Sequence, residues 1–247
     1  MAFARLQIPG SIPGTEKLFH DDPYLREADA TVLYIDGAFV ILDRTIFYAE
    51  SGGQEWDEGE ISGIRVIDTQ DQGGQLLYAS HPRVHVPAVK VHSIVVHRLS
   101  EPAPFQVGDR VDLKLDWSRR YANMRQHSAS HFVYHAVHQI YGPSNDALIT
   151  KGCHIRPDGH RFDFGGDLPG DRIPEVQEMA NALIAQGLEI GLEPEPMSGE
   201  IKYWTYDRDI IIPCGGTHVR SAGELQPLTV GRSKKGKNVT RISGKFA

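Results

Sequence analysis

Hydrophobic and polar positions alternate through the first half of the chain, then switch to a spacing of three and four. The runs TVLYI (31–35) and AFVIL (38–42) are β-branched and aromatic, and between them Asp36-Gly37 is a type I′ turn signal. Further strand-like runs follow at 45–49, 59–68, 75–79, 89–99 and 109–117. Turn residues separate them, as at Gly52-Gly53, Gly73-Gly74 and Gly108-Asp109. Short strands in succession, with no helical period between them, predict a small antiparallel barrel or sandwich over residues 25–117. Residues 1–24 then form an N-terminal extension.

The period changes after Trp117. No Gly or Pro occurs from Ser118 to Tyr141, and Gly142-Pro143 stops the run. Within it Ala129, Phe132, Val133, Ala136, Val137 and Ile140 mark one apolar helix face. A second helix is predicted from Arg172 to Ile190, with Asp171 as N-cap and Gly191 ending it. Val176, Met179, Ala180, Leu183 and Ile184 form its apolar stripe. Strand-like stretches at 152–164, 196–206, 209–213 and 238–244 complete an antiparallel sheet carrying the two helices. The predicted class is therefore α+β: an N-terminal β-barrel, then a second α+β domain over 118–247.

Composition narrows the function classes. The 247 residues are 40% hydrophobic and 23% charged, which is globular rather than disordered. No apolar run approaches the ~20 residues a membrane-spanning helix needs. The opening MAFARLQIPGSIPG lacks the apolar stretch of a secretory signal, so a cytoplasmic protein with no membrane partner is expected. Two cysteines, Cys153 and Cys214, give no disulfide framework. The net charge of −6 does not mark a nucleic-acid binder, but residues 231–247 carry Arg232, Lys234, Lys235, Lys237, Arg241 and Lys245 with no acid. Such a tail can follow a phosphate backbone, or be a solvated hairpin.

Twelve histidines make pairs at spacing four common, so geometry has to choose among them. His81 and His85 lie in a Pro-bounded strand-like segment, where four residues span ~13 Å, too far for two bonds to one ion. On a helix, residues four apart stack on one face with Cβ atoms ~5–6 Å apart. His127/His131 and His131/His135 both qualify, and His135 can replace His127 as the partner of His131. Cys214 and His218 supply two further donors from one loop, where Gly215-Gly216 permits a tight turn. Together these make a Cys-His₃ tetrahedron for one Zn²⁺ per chain. Ser128 stands where a zinc protease of the HExxH type needs its glutamate, so that class loses its general base.

At this point three blocks resemble one family. MRQHSASHFV (124–133) resembles the metal-binding helix of alanyl-tRNA editing domains, and CGGTHVRSAGEL (214–225) resembles their second half-site. TIFYAESGGQEWDEG (45–59) is similar to the glycine-rich segment that precedes them, and KGKNVTRI (235–242) to the usual ending. The order matches, and the resemblance runs from about Leu18 to the end. It implies a free-standing trans-editing hydrolase that cleaves the ester of mischarged tRNA(Ala), chiefly seryl and also glycyl. It implies zinc at His127, His131, Cys214 and His218. Ser51 replaces the first of three glycines common in the family, and Glu55-Trp56 stands where smaller residues are usual.

Such an enzyme has to accept serine and spare alanine, so it needs polar groups aimed at the serine hydroxyl. Gln54, following the Gly52-Gly53 turn, is the first candidate, with Thr45, Thr217 and Thr150 behind it. Arg125, beside the metal helix, is a candidate for the terminal adenosine phosphate, and Lys234, Lys235 and Lys237 for phosphates further along. No protein partner is inferable. Two other classes fit the same residues: a non-catalytic RNA-binding module stapled by zinc, and a zinc hydrolase of another ester or amide.

Overall fold

A computed structural model describes residues 6–77, 89–142, 148–195 and 198–247. His81 and His85, the end of the predicted run 75–79 and Pro143 lie outside the described residues. The chain divides into two compact units, residues 1–51, 55–120 and 194–202 in one, and 52–54, 121–193 and 203–247 in the other.

In the first unit the strands are β1 (Glu16–Lys17), β2 (Glu27–Asp36), β3 (Phe39–Leu42), β4 (Arg44–Thr45), β5 (Gly59–Ile61), β6 (Ile64–Gln72), β7 (Gln75–Leu77), β8 (Val89–Val91), β9 (Ile94–Leu99) and β10 (Arg110–Leu115). Six of them pair in the cycle β10-β2-β3-β9-β6-β5, and β5 pairs back to β10, closing a barrel. Alternation drives it: β10 reads RVDLKL and buries Val111, Leu113 and Leu115 while its charged positions stay exposed. These pack with Val32, Val40, Ile61 and Val66 into one apolar core.

Several turns differ from those expected. The run 59–68 breaks into β5 and β6 at Ser62 and Gly63, which take φ of 47° and 82°. The run 89–99 likewise breaks between β8 and β9, with His92 at φ 53°. Between β2 and β3 Asp36 pairs Phe39, so the turn centres on Gly37-Ala38. Only Gly37 has a positive φ, at the first central position, where a type II′ turn keeps its glycine. Within 45–49 only Thr45 belongs to a strand; after it, side chains replace ladder partners. Thr45 Oγ1 accepts from the Phe47 N–H (3.1 Å) and Asp57 Oδ2 from the Tyr48 N–H (2.7 Å). Asp57 also receives Arg120 Nε at 2.8 Å, an ion pair with both side chains fully buried.

Helix α1 (Trp117–Tyr141) begins where Asp116 Oδ1 accepts the Arg119 N–H at 3.1 Å, an N-cap bond. In the second unit α1 is followed by β11 (Thr150–Arg156), β12 (Gly159–Gly165) and α2 (Ile173–Ala185). Then come β13 (Gly191–Glu195) and β14 (Ser198–Tyr206), whose residues 194, 195 and 198–202 fall in the first unit, and β15 (Ile210–Cys214), β16 (Leu228–Gly236) and β17 (Val239–Phe246). One sheet has the order β11-β12-β17-β16 and another β13-β14-β15. Every residue of the expected apolar stripe of α1 is buried. Tyr134 packs on Phe162 of β12 and Phe132 on Trp204 and Tyr206 of β14.

Helix α2 is shorter than the sequence suggested. Gly187 adopts φ 64° directly after Gln186 and ends the helix, while Gly191 opens β13; Arg172 rather than Asp171 holds the N-cap position. The helix covers the edge strand β16. Asn181 donates to the Leu228 carbonyl (3.0 Å) and accepts its N–H (2.7 Å), and Gln177 accepts the Val230 N–H (2.9 Å). An edge that would otherwise present open backbone groups is thereby satisfied.

Candidate metal centre

The helical spacing of four brings His127 and His131 to one face of α1, with rings 5.1 Å apart. The last residue of β15, Cys214, and His218 in the loop after it reach the same place. One donor atom from each of the four lies within 4.8 Å of every other, and three of the four residues are buried. His135 is not part of this group, which decides between the two helical pairs.

Hydrogen bonding fixes which ring nitrogens face inward. Gln54 Oε1 accepts the Thr217 backbone N–H at 3.1 Å, and a backbone N–H can only donate. The same oxygen lies 2.7 Å from His127 Nδ1, so Nδ1 carries the proton and Nε2 keeps its lone pair. That Nε2 points at Cys214 Sγ, 3.3 Å away. On the other side Ser128 Oγ accepts the Val219 N–H (3.1 Å) and stands 3.1 Å from His218 Nδ1, leaving His218 Nε2 3.3 Å from the same sulfur. His131 stacks flat on Trp204, centroids 4.9 Å apart, and its Nε2 is buried with no hydrogen-bond partner among the described residues.

This arrangement fits a metal ion. Burial drives the imidazoles neutral: His127 falls to about 3, and His131 and His218 lie well below their ordinary value. Burial also pushes the Cys214 thiol up to about 12, against a small opposing effect of the Gly216 N–H. Three neutral nitrogens and one thiol, drawn together in a largely buried site with an orphaned nitrogen, form the donor set a cation completes. Outer hydrogen bonds of the kind Gln54 and Ser128 make hold metal-binding histidines in orientation.

The glycines act by close approach as well as by turning. Gly52 and Gly53 have φ of 57° and 86°, and Gly53 accepts the Ile155 N–H at 2.7 Å, tying residues 52–54 to β11. A Cβ on Gly53 would lie 2.5 Å from Cys153 Sγ. Neither Gly215 nor Gly216 has a positive φ, so a tight turn is not their reason. A Cβ on Gly216 would meet the His127 ring at 2.2 Å and Gln54 Oε1 at 2.9 Å. That position needs glycine so that the loop can lie on the Gln54–His127 pair.

Thr217 joins the centre, its Oγ1 accepting Gln54 Nε2 at 2.9 Å. Thr45 sits in the first unit, buried, 2.8 Å from His97 Nε2. Thr150 is exposed at the start of β11 and bonds Tyr134. Arg125 donates to the Glu224 carbonyl (3.0 Å) and lies over Phe246. Lys234 approaches Asp167 at 3.5 Å, Lys235 approaches Asp163 at 2.6 Å, and Lys237 is in the turn between β16 and β17. Ser128 and Trp204 escape sequence reasoning. Ser128 has a signal, since it follows a ligand on the helix, but its partner is 90 residues away; Trp204 has none.

A helical His pair, with a Cys and a His from one segment, gives an α+β protein four donors that could hold one metal ion, and the known proteins it resembles belong to aminoacyl-tRNA metabolism. Residues 21–119 match the family described as tRNA synthetases class II (A). The chain is 33% identical over 236 residues to the alanyl-tRNA editing protein AlaX-M of Pyrococcus horikoshii, covering 90% of this chain and 95% of that one. It is 32% identical to AlaX-L of the same organism, covering 92% and 57%. Against the alanine–tRNA ligase of Ignicoccus hospitalis identity is 31%, covering 90% of this chain but a quarter (25%) of the ligase. The chain belongs to the family of alanyl-tRNA editing proteins.

Proposed function

We propose that the protein is an aminoacyl-tRNA deacylase that hydrolyses the ester of mischarged tRNA(Ala), chiefly Ser-tRNA(Ala) and also Gly-tRNA(Ala). One Zn²⁺ is held by His127, His131, Cys214 and His218. The observation that carries this reading is the buried four-donor cluster whose two outer imidazole nitrogens are already engaged by Gln54 and by Ser128. Family membership supplies the substrate class.

Bound zinc supplies a fixed positive charge in a water-poor site, and four protein donors form the closed pattern of a positioning rather than an open metal site. The chain's own residues do the rest. Gln54 is fully buried, and its carbonyl oxygen already accepts two bonds, so its role is to orient His127 and hold Thr217. Thr217 Oγ1 receives the Gln54 amide and retains its own hydroxyl proton to donate, which makes it the polar group best suited to read a serine hydroxyl. Thr45, engaged with His97, supports the barrel.

The test is hydrolysis of Ser-, Gly- and Ala-tRNA(Ala) by purified protein with and without chelator, beside Cys214→Ala. Metal-dependent release of serine and glycine with alanine spared supports the proposal. Metal-loaded protein that leaves all three esters intact, or that cleaves small esters in preference, refutes it.

A further inference from the structure

The sheet β11-β12-β17-β16 has two faces of opposite character. Residues directly opposite on paired strands share a face. Phe162 opposite Ile242 and His160 opposite Gly244 are buried and form the inner side. Asp163 opposite Arg241 and Arg161 opposite Ser243 point the other way. Lys245, two residues beyond Ser243, shares that outward side and is exposed. Lys235 reaches it too, from the irregularity between Lys234 and Gly236.

Four cations of β12, β16 and β17 therefore stand over this face with one carboxylate, and Arg156 of β11, opposite Gly159, lies on the same side. Asp163 is approached by Arg161 at 3.2 Å, by Lys235 at 2.6 Å and by Arg241 at 2.7 Å, and its own side chain is only 5% exposed. One negative charge cannot neutralise three neighbours and Lys245, so the face keeps a surplus of positive charge. The carboxylate acts as a pin that holds the cations at fixed spacing, which lowers the conformational entropy a polyanion would lose by ordering them. The floor between them is small: Gly231 lies opposite Ser243, and Ser233 opposite Arg241. Among the described residues no Phe, Tyr, Trp, Leu, Ile or Met projects there as an anchor for a protein partner would require, and the one valine that register puts on this side, Val239, stands at the hairpin end opposite Gly165. Hydroxyls beside Arg and Lys are instead the groups that hold phosphate oxygens.

We propose that this outward face docks the phosphate backbone of the RNA, through Arg161, Lys235, Arg241 and Lys245. The inference rests on the reading that the substrate is tRNA. It differs from a general role for the basic tail, because Arg232 and Lys234 lie on the reverse side against Asp167, and because Arg161 comes from β12.

The test is the salt dependence of binding of deacylated tRNA(Ala) by the full chain, read by fluorescence anisotropy. Removing one phosphate contact lowers the slope of log K against log salt by about 0.7–0.9, or about six-fold in affinity near 0.1 M salt. Arg161→Gln/Lys235→Gln/Lys245→Gln should lower the slope by about two to three, leaving Arg241 to pair with Asp163. Lys245→Gln alone, at an exposed side chain, should lower it by about one and guards against misfolding of the triple variant. Arg65→Gln/Lys114→Gln, on the barrel, should leave it unchanged. An unchanged slope in the triple variant, with tRNA binding and deacylation intact, overturns the docking face and spares the proposed function. So does loss of poly-glutamate binding with RNA binding retained, which would assign the face to an acidic protein. Wild-type protein that neither binds nor deacylates tRNA overturns both.

Discussion

Replacing Gln54 by Ala separates two roles for this residue: orienting the metal ligand, or reading the substrate. The side chain is fully buried and makes three bonds, accepting from His127 Nδ1 (2.7 Å) and Thr217 N (3.1 Å) and donating to Thr217 Oγ1 (2.9 Å). Alanine leaves two buried N–H donors without an acceptor, each costing about 1–3 kcal/mol. Part of that falls on folding and part on the metal, because His127 loses the bond that fixes its tautomer. Loss of such an outer partner lowers metal affinity about 10- to 100-fold. Competition against a chromophoric chelator measures that affinity, and deacylation of Ser-tRNA(Ala) and Gly-tRNA(Ala) is followed at the same metal concentration. The expected result is weakened metal binding with equal losses on both esters. Gln54→Glu keeps an acceptor for both N–H groups and should restore most of the affinity. Unchanged metal affinity with a loss confined to the seryl ester would refute the reasoning and make Gln54 a direct reader of the hydroxyl.

Gly216→Ala should weaken metal binding by at least about ten-fold while the barrel remains folded, because its Cβ would lie 2.2 Å from the His127 ring; chelator competition checks it, and wild-type affinity would show that the loop can move. Arg120→Met should destabilise the first unit by about 3–5 kcal/mol in urea unfolding, since it leaves the buried Asp57 carboxylate unpaired. Stability should also fall on mild acidification through His97. Burial lowers its value from 6.5 to about 4, so the unfolded chain takes up a proton first, and stability present above pH 6.5 is lost as pH falls toward 4. His97→Gln should flatten part of that decline in denaturation curves at pH 7 and 5; an unaltered decline would assign it to the other buried histidines.

Helix α1 and its half of the candidate metal centre are legible in the residues alone. Four-residue spacing within a run free of Gly and Pro fixes His127 and His131 on one helix face, because helical geometry is local. The α1 boundaries and its apolar stripe follow from the same periodicity, and the β10 pattern from strict alternation. Where two continuations share one pattern, the sequence misplaces the chain. A strand through 59–68 and a hairpin broken at Ser62-Gly63 both alternate, and only pairing of β5 with β10 and β6 selects the hairpin. The sequence reading ends α2 at Gly191, whereas the helix stops at Gly187, where Tyr206 Oη donates to the Leu183 carbonyl (2.7 Å) and Ser221 Oγ to the Gly187 carbonyl (3.0 Å) from segments distant in the chain. His135 competes with His127 until the Cys214 loop meets α1 on one side. Tertiary structure alone decides what the polar residues do. Gln54 reads in sequence as a neutral amide after a glycine turn, suited to a ligand, but its partners lie 73 and 163 residues away and tie it to His127 and Thr217 beside the four candidate donors. Likewise six tail cations read as one basic stretch, whereas strand register sorts five of them onto two faces, leaves Lys237 in the turn and adds Arg161 to one face. Local geometry is written in spacing; the partner of a buried polar atom is fixed only when distant segments compete for it and water is excluded.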